Sequence, residues 1–324
     1  MGHQTQWWVD DQKSIYDILD EYNPDVFLIP SYNLNEPIIN RICESPEMHV
    51  VLIGSNFGPI DKEIDPAQYP VLKITDDEKG LVSVLRDEHK RCGTVVCNYH
   101  PNKVDMCMAY WRSLGYEPKS LMNAADTFTY MGGSIQEHYK CDISMISGKW
   151  PYKSRNLDKF FLPLCYPVGR YNVKIWGWGW EVIPQYLGQI AEEEVKHVFA
   201  SSKITVNIHE PHSNDFGFEA TERMYKALIG GSLVISDYVG TIEEDIYPNG
   251  EIPMAKTPLE LEDLVQLYLH DDEKRANQLA LGRRQTFRYH TYLDRVADLF
   301  TYLDMPGESA HAVEVKNGQN LPTD

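Results

Sequence analysis

The chain has 324 residues, 43% of them hydrophobic, enough to bury a large core and long enough for two domains. Its 30 basic and 48 acidic residues leave a net charge of -18, which repels nucleic acid over most of the surface and argues against general DNA or RNA binding, while leaving room for a local basic groove. No apolar run approaches the roughly 18 to 20 residues of a membrane helix. The opening MGHQTQWWVDD has neither the basic start nor the apolar core of a signal peptide, so a cytoplasmic protein without a membrane span is expected. The six cysteines (Cys43, Cys92, Cys97, Cys107, Cys141, Cys165) show no zinc-type spacing and are expected as reduced thiols.

Apolar runs bounded by turn residues predict strands at 25–30 (DVFLIP), 49–54 (HVVLIG), 70–75 (PVLKIT) and 94–100 (TVVCNYH). Helical spacing falls between them, near 12–22, 35–44, 78–91 and 103–114. A second α/β series follows, with strands at 141–148 (CDISMISG), 172–179 (NVKIWGWG), 203–208 (KITVNI) and 232–236 (SLVIS). The alternation predicts an α/β protein of two Rossmann-like domains, 1–140 and 141–304, followed by a flexible tail at 305–324 that lacks periodicity.

In KITVNIHEPH, alternation points Asn207 and His209 to the crevice at the carboxyl end of the strand, and Asp237 ends the next strand at the same edge. A His209–His212 metal site would lack a third ligand, and no metal is expected. Between 146 and 175 a single acid, Asp158, stands among Lys149, Lys153, Arg155, Lys159, Arg170 and Lys174. This island follows Gly148, where the backbone can approach closely, and it suits a diphosphate unless it is simply a solvated face. In KIWGWGW, Trp176, Trp178 and Trp180 alternate with Gly177 and Gly179, placed either to stack a base or sugar or to pack in the core. His100, ending an early strand, is either a structural imidazole or a group that meets the transferred sugar or acts as base. In the helix ERMYKALIGG, Glu222 and Lys226 are spaced as an i,i+4 pair, and Gly230 and Gly231 stop the helix.

The chain has no G-x-G-x-x-G after its early strands, no P-loop, no G-x-S-x-G and no C-x-x-C, which removes the main support for dehydrogenase, NTPase and hydrolase readings. A strand ending in D-x-D, the usual metal–nucleotide clamp of single-domain sugar transferases, is also missing.

Over residues 141–303 the chain resembles the group 1 glycosyltransferases, in particular the branch typified by the spore-maturation protein CgeB. The resemblance runs in order through CDISMISG with Arg155 downstream, IWGWGW, YLGQIAEEEV, SSKITVNIH, ERMYKALIGGSLVISDYVGTIEED and HTYLDRVADLF. It implies the GT-B architecture of two facing Rossmann-like domains, with a nucleoside-diphosphate sugar held by the second and a hydroxyl acceptor approaching from the first. By motif position it implies Gly148 and Arg155 near the donor diphosphate, Asn207 and His209 lining the donor site, and Arg223 and Tyr225 as the R-x-aromatic of the donor helix. Gly230 and Gly231 match a glycine turn that lets the sugar nucleotide approach the backbone. Lys226 stands where the family often carries a ribose-binding glutamate, so either Glu222 substitutes or Lys226 addresses phosphate. The expected function is metal-independent transfer of a sugar to a glycan or small molecule, with His100 and Arg155 as catalytic candidates. The alternatives are modification of hydroxymethylated bases in viral DNA and a non-catalytic sugar-nucleotide-binding scaffold.

Overall fold

The strand His49–Ile53 reads HVVLI, and Val50, Val51 and Leu52 are fully buried, as a strand covered on both faces requires. The computed structural model describes residues 4–6, 13–54, 68–69 and 75–322, so all but the last residue of the strand expected at 70–75 lies outside the described residues. The chain divides into two units, one of residues 1–122 with 296–315 and the other of 123–295 with 316–324.

The first unit carries a parallel sheet of β1 (Val26–Pro30), β2 (His49–Ile53), β3 (Thr94–Cys97) and β4 (Glu117–Ser120) in that order. Its helices start where a side-chain oxygen meets an otherwise unpaired backbone N–H. Ser14 caps Ile15–Tyr22, Asn35 caps Glu36–Cys43 and Thr75 caps Asp76–Glu88, each cap stabilising by about 1 kcal/mol. The chain returns to this unit near its end, where Leu303 is buried with Val51 and Val96, and Leu299 and Met305 pack beside them. Tyr302 adds a hydrogen bond from its hydroxyl to the Ser120 carbonyl at 2.8 Å.

The second unit holds a five-stranded parallel sheet of β5 (Cys141–Ile146), β6 (Val173–Trp176), β7 (Ser202–Asn207), β8 (Leu233–Asp237) and β9 (Met254–Ala255), in the order β6-β5-β7-β8-β9. Ile143, Met145, Ile204, Val206, Leu233 and Ile235 form the middle of its core. Each such side chain contributes roughly 1.5–3 kcal/mol by leaving water.

Two expectations change. The segment 305–324 is no aperiodic tail, because Pro306–Gly318 is a helix with Ala312 buried. The domain limits also differ: 123–140 belongs with the second unit, where the Gln136 amide donates to Ser201 Oγ at 2.9 Å, and 296–304 belongs with the first. Among the described residues no helix is long and apolar enough to cross a membrane.

Candidate functional site

A parallel sheet presents ligands at the carboxyl ends of its strands, most readily where the strand order reverses direction. In the second unit the chain runs from β5 outward to β6 and then returns to the other side of β5 with β7, so the reversal lies between β5 and β7. Arg223, in the first turn of the helix Glu222–Gly230, spans that point. Its Nη1 donates to the Ile146 carbonyl at the end of β5, its Nη2 to the Ile208 carbonyl just past β7, and its Nε to Asn207 Oδ1, each at 3.1 Å. All three acceptors are neutral oxygens, and burial pushes the guanidinium pKa down to about 10.

From Arg223 a polarised chain of hydrogen bonds runs inward. Asn207 Oδ1 also accepts from Thr221 Oγ1 at 2.7 Å, which fixes the amide with its Nδ2 toward His209 Nε2 at 3.3 Å. His209 Nδ1 lies 2.7 Å from Asp237 Oδ1, and the His209 backbone N–H also donates to that carboxylate. The network assigns the proton to Nδ1 and leaves Nε2 as acceptor. Asn214 Nδ2 donates to Asp237 Oδ2 at 2.9 Å, and Asn156 Nδ2 donates to Asn214 Oδ1 and to the His209 carbonyl. Asn207, His209 and Asp237 are all fully buried. Both ring nitrogens of His209 are therefore engaged, and the imidazole serves to orient Asn207 and, through it, Arg223.

Lys153, in the helix Pro151–Asn156, lies in the field of Arg223, Glu210, Asp237 and Glu219. Burial first and the Arg223 charge second push its amine down to about 7, against the upward pull of the three carboxylates. Two basic side chains thus meet at the mouth of a strand crevice, where an anion would face both of them. Beside them, Glu219 accepts from His212 Nε2 at 3.2 Å and Ser213 Oγ at 2.9 Å. Burial raises its pKa, but these hydrogen bonds and the electrostatic pull of His212 outweigh it and hold the carboxyl below its ordinary value.

The structure brings Gly148, Asn207, His209, Arg223 and Asp237 together at one end of the sheet and sends other expected residues elsewhere. Arg155 is exposed and lies 5.3 Å above the Tyr152 ring. Lys149 pairs with Asp158 at 3.1 Å. Trp176 is buried, its ring centre 5.9 Å from that of Tyr139 in an edge-to-face contact, and is not open to stack on a ligand. Gly177 has φ +126, and a Cβ there would fall 2.3 Å from the Ser147 carbonyl oxygen, so it joins the turns after β5 and β6. Tyr225 is fully buried beside Tyr247 and His290; its hydroxyl has no partner among the described residues, and burial pushes it up to about 12. Glu222 accepts from the Tyr292 hydroxyl at 3.0 Å and pairs with Lys226 at 3.1 Å, while Lys226 also reaches Glu192 at 3.3 Å and lies 4.4 Å from the Tyr130 ring centre.

Gly230 and Gly231 are placed differently from the expected role. They precede β8 at its amino end, a strand's length of roughly 15 Å from Asp237. Gly231, at φ +104, reverses the chain, and a Cβ on Gly230 would lie 2.7 Å from Phe199 Cβ. Their task is packing and chain reversal at the far edge. His100 belongs to the first unit, where its Nδ1 accepts from the Asn102 amide and caps Pro101–Cys107. Lys153 is the site residue that the sequence did not single out.

Residues 155–301 match a family described as Glycosyl transferase-like. The match begins after Gly148 and Lys153, so that loop lies outside it. No curated protein matches the chain. Among solved structures, sucrose-phosphate synthase from Thermosynechococcus elongatus is similar at 9% identity and a TM-score of 0.58, over 88% of this chain and 74% of that one. T4 phage BGT, solved in complex with its UDP-glucose substrate, is similar at 14% identity and 0.52, over 95% and 86%. The trehalose-6-phosphate phosphatase N-terminal domain of Candida albicans is similar at 10% and 0.55, over 89% and 72%. At these identities the likeness is one of fold, the GT-B arrangement of two Rossmann-like domains. The family match and the fold together support a glycosyltransferase enzyme.

Proposed function

We propose that the protein transfers a sugar from a nucleoside-diphosphate sugar to a hydroxyl of a glycan or small molecule, without a divalent metal, and that it falls in the spore-maturation-like branch of its class. The observation that carries this reading is Arg223, held by three neutral oxygens across the β5/β7 reversal, with Lys153 within its electrostatic reach. A diphosphate at this point neutralises both. As the acceptor oxygen bonds to the anomeric carbon, the bond from that carbon to the diphosphate oxygen breaks, and the hydroxyl proton passes to the departing diphosphate or to water. The negative charge that develops on the leaving nucleoside diphosphate falls on the two cations, which are already in place. The buried chain Asn207–His209–Asp237 holds the guanidinium in register, so little reorganisation accompanies the reaction. The net charge of -18 favours a small or glycan acceptor over duplex DNA.

Calorimetric titration with a panel of nucleoside-diphosphate sugars, with and without EDTA, tests this. Selective binding that persists in EDTA is expected, weakened about 10- to 150-fold in Lys153→Ala, the range of a hydrogen bond to a charged group. Binding that requires a divalent cation would overturn the metal-independent step. Binding without consumption of the donor, whatever acceptor is offered, would assign the protein as a sugar-nucleotide scaffold.

A further inference from the structure

The run IWGWGW alternates three tryptophans with two glycines, and the structure gives the three rings different fates. Trp176 and Trp180 are 4% and 0% exposed, whereas Trp178 between them is 52% exposed. The difference does not come from a loose loop. Gly177 at φ +126 and Gly179 at φ +81 flank Trp178, in backbone conformations that side-chain-bearing residues rarely adopt. The Ser147 amide donates to the Trp176 carbonyl at 3.0 Å and the Lys149 amide to the Trp178 carbonyl at 2.8 Å, so the turn after β6 is zipped to the turn after β5. Trp180 closes the arrangement by donating its indole N–H to the Ser147 carbonyl at 2.6 Å. A Cβ on Gly148 would fall 2.5 Å from Trp178 Nε1, so that glycine also makes room for the exposed indole.

A large apolar ring is thus held out toward water on a backbone fixed from both sides. Its place is at the carboxyl end of β6, the strand next to β5, whose last carbonyl receives Arg223. Adjacent strands lie about 4.8 Å apart, so β6 stands roughly 10 Å across the sheet from β7. That separation is comparable to the distance from the heterocycle to the second phosphate of an extended nucleoside diphosphate. With the diphosphate at Arg223 and Lys153, its heterocycle reaches β6.

We propose that Trp178 is the platform on which the heterocycle of the donor nucleotide stacks. This rests on the donor site proposed above. A flat base on an indole face needs no hydrogen-bond complementarity, so Trp178 supplies affinity for the nucleotide part of the donor rather than discrimination between bases.

The test uses the full chain, titrated by calorimetry with nucleoside diphosphates and, separately, with inorganic pyrophosphate. Trp178→Ala is expected to weaken nucleoside diphosphate binding about 5- to 150-fold while leaving pyrophosphate binding unchanged, and Trp178→Phe is expected to recover most of the loss. Equal nucleoside diphosphate affinity in the wild type and Trp178→Ala would overturn the stacking role, and a raised KM for the acceptor in that case would assign the ring to the acceptor instead. A parallel loss of pyrophosphate and nucleotide binding in Trp178→Ala would also overturn it, by showing that the substitution disturbs the Gly148 turn. A wild-type chain that binds neither probe would overturn the donor site itself.

Discussion

At the scale of single residues, the site is decided by which way a side chain leaves its helix. Lys153 and Arg155 sit two positions apart in a basic run that reads as uniform. Two residues are about 200° of helical rotation, so they face opposite ways. Lys153 turns toward Arg223, and Arg155 turns to solvent over Tyr152. Nothing in composition separates them; the tertiary contact of the helix with the loop after β7 does. Asn207, His209 and Asp237 were legible because alternation along a strand fixes direction, and the structure joins them in one network. The depressed pKa of Lys153 has a functional sign. A bound diphosphate adds negative charge and raises that pKa, so above pH about 7 binding must take up a proton. Donor affinity is expected to be flat below pH 7 and to fall by up to about tenfold per pH unit above it, until the raised pKa of the complex is reached. Isothermal titration at several pH values reads this directly. The same slope in Lys153→Gln would assign the proton to another group.

At the scale of elements, strands rich in β-branched residues were readable and the others were not. β4, Glu117–Ser120, reads EPKS and carries no strand signal, yet it extends the first sheet because β3 offers it a free edge. β9 has two residues, too few for any pattern. The helix Pro306–Gly318 buries only Ala312 as a core residue, so no apolar stripe announces it. The glycine pair at 230–231 was readable as a helix stop, and its location on the sheet was not. Both glycines answer to packing, with Gly230 against Phe199 and Gly231 in a left-handed turn. Gly230→Ala is expected to destabilise by about 1–3 kcal/mol through overpacking. Gly231→Ala is expected to cost roughly 1–2 kcal/mol through its backbone conformation. Thermal melts measure both, and donor affinity at 25 °C is expected to stay within about twofold of wild type because the pair lies a strand's length from Asp237. A selective loss of affinity in a folded variant would place these glycines in the donor site after all.

At the scale of the whole molecule, the first unit depends on residues that come late in the sequence. Leu303 reaches Val51 and Val96, and Tyr302 bonds the Ser120 carbonyl. Leu303→Ala is expected to destabilise by about 2–5 kcal/mol, the range of a large-to-small core change. Hydrogen exchange is expected to quicken at the amides of β2 and β3 while β7 and β8 keep their protection. Equal acceleration in both sheets would show that the two units open together.

The chain passes between the units three times, after residues 122, 295 and 315. The two units are thereby interleaved along the chain, with 123–295 interrupting the first and 316–324 returning to the second. One cut between 122 and 123 leaves the 296–315 segment still docked on the first sheet, so a protease needs more than one cleavage to separate the two units. An exchange of the second unit between related chains likewise has to respect three junctions, and a simple fusion at one point would leave the first unit without part of its own core.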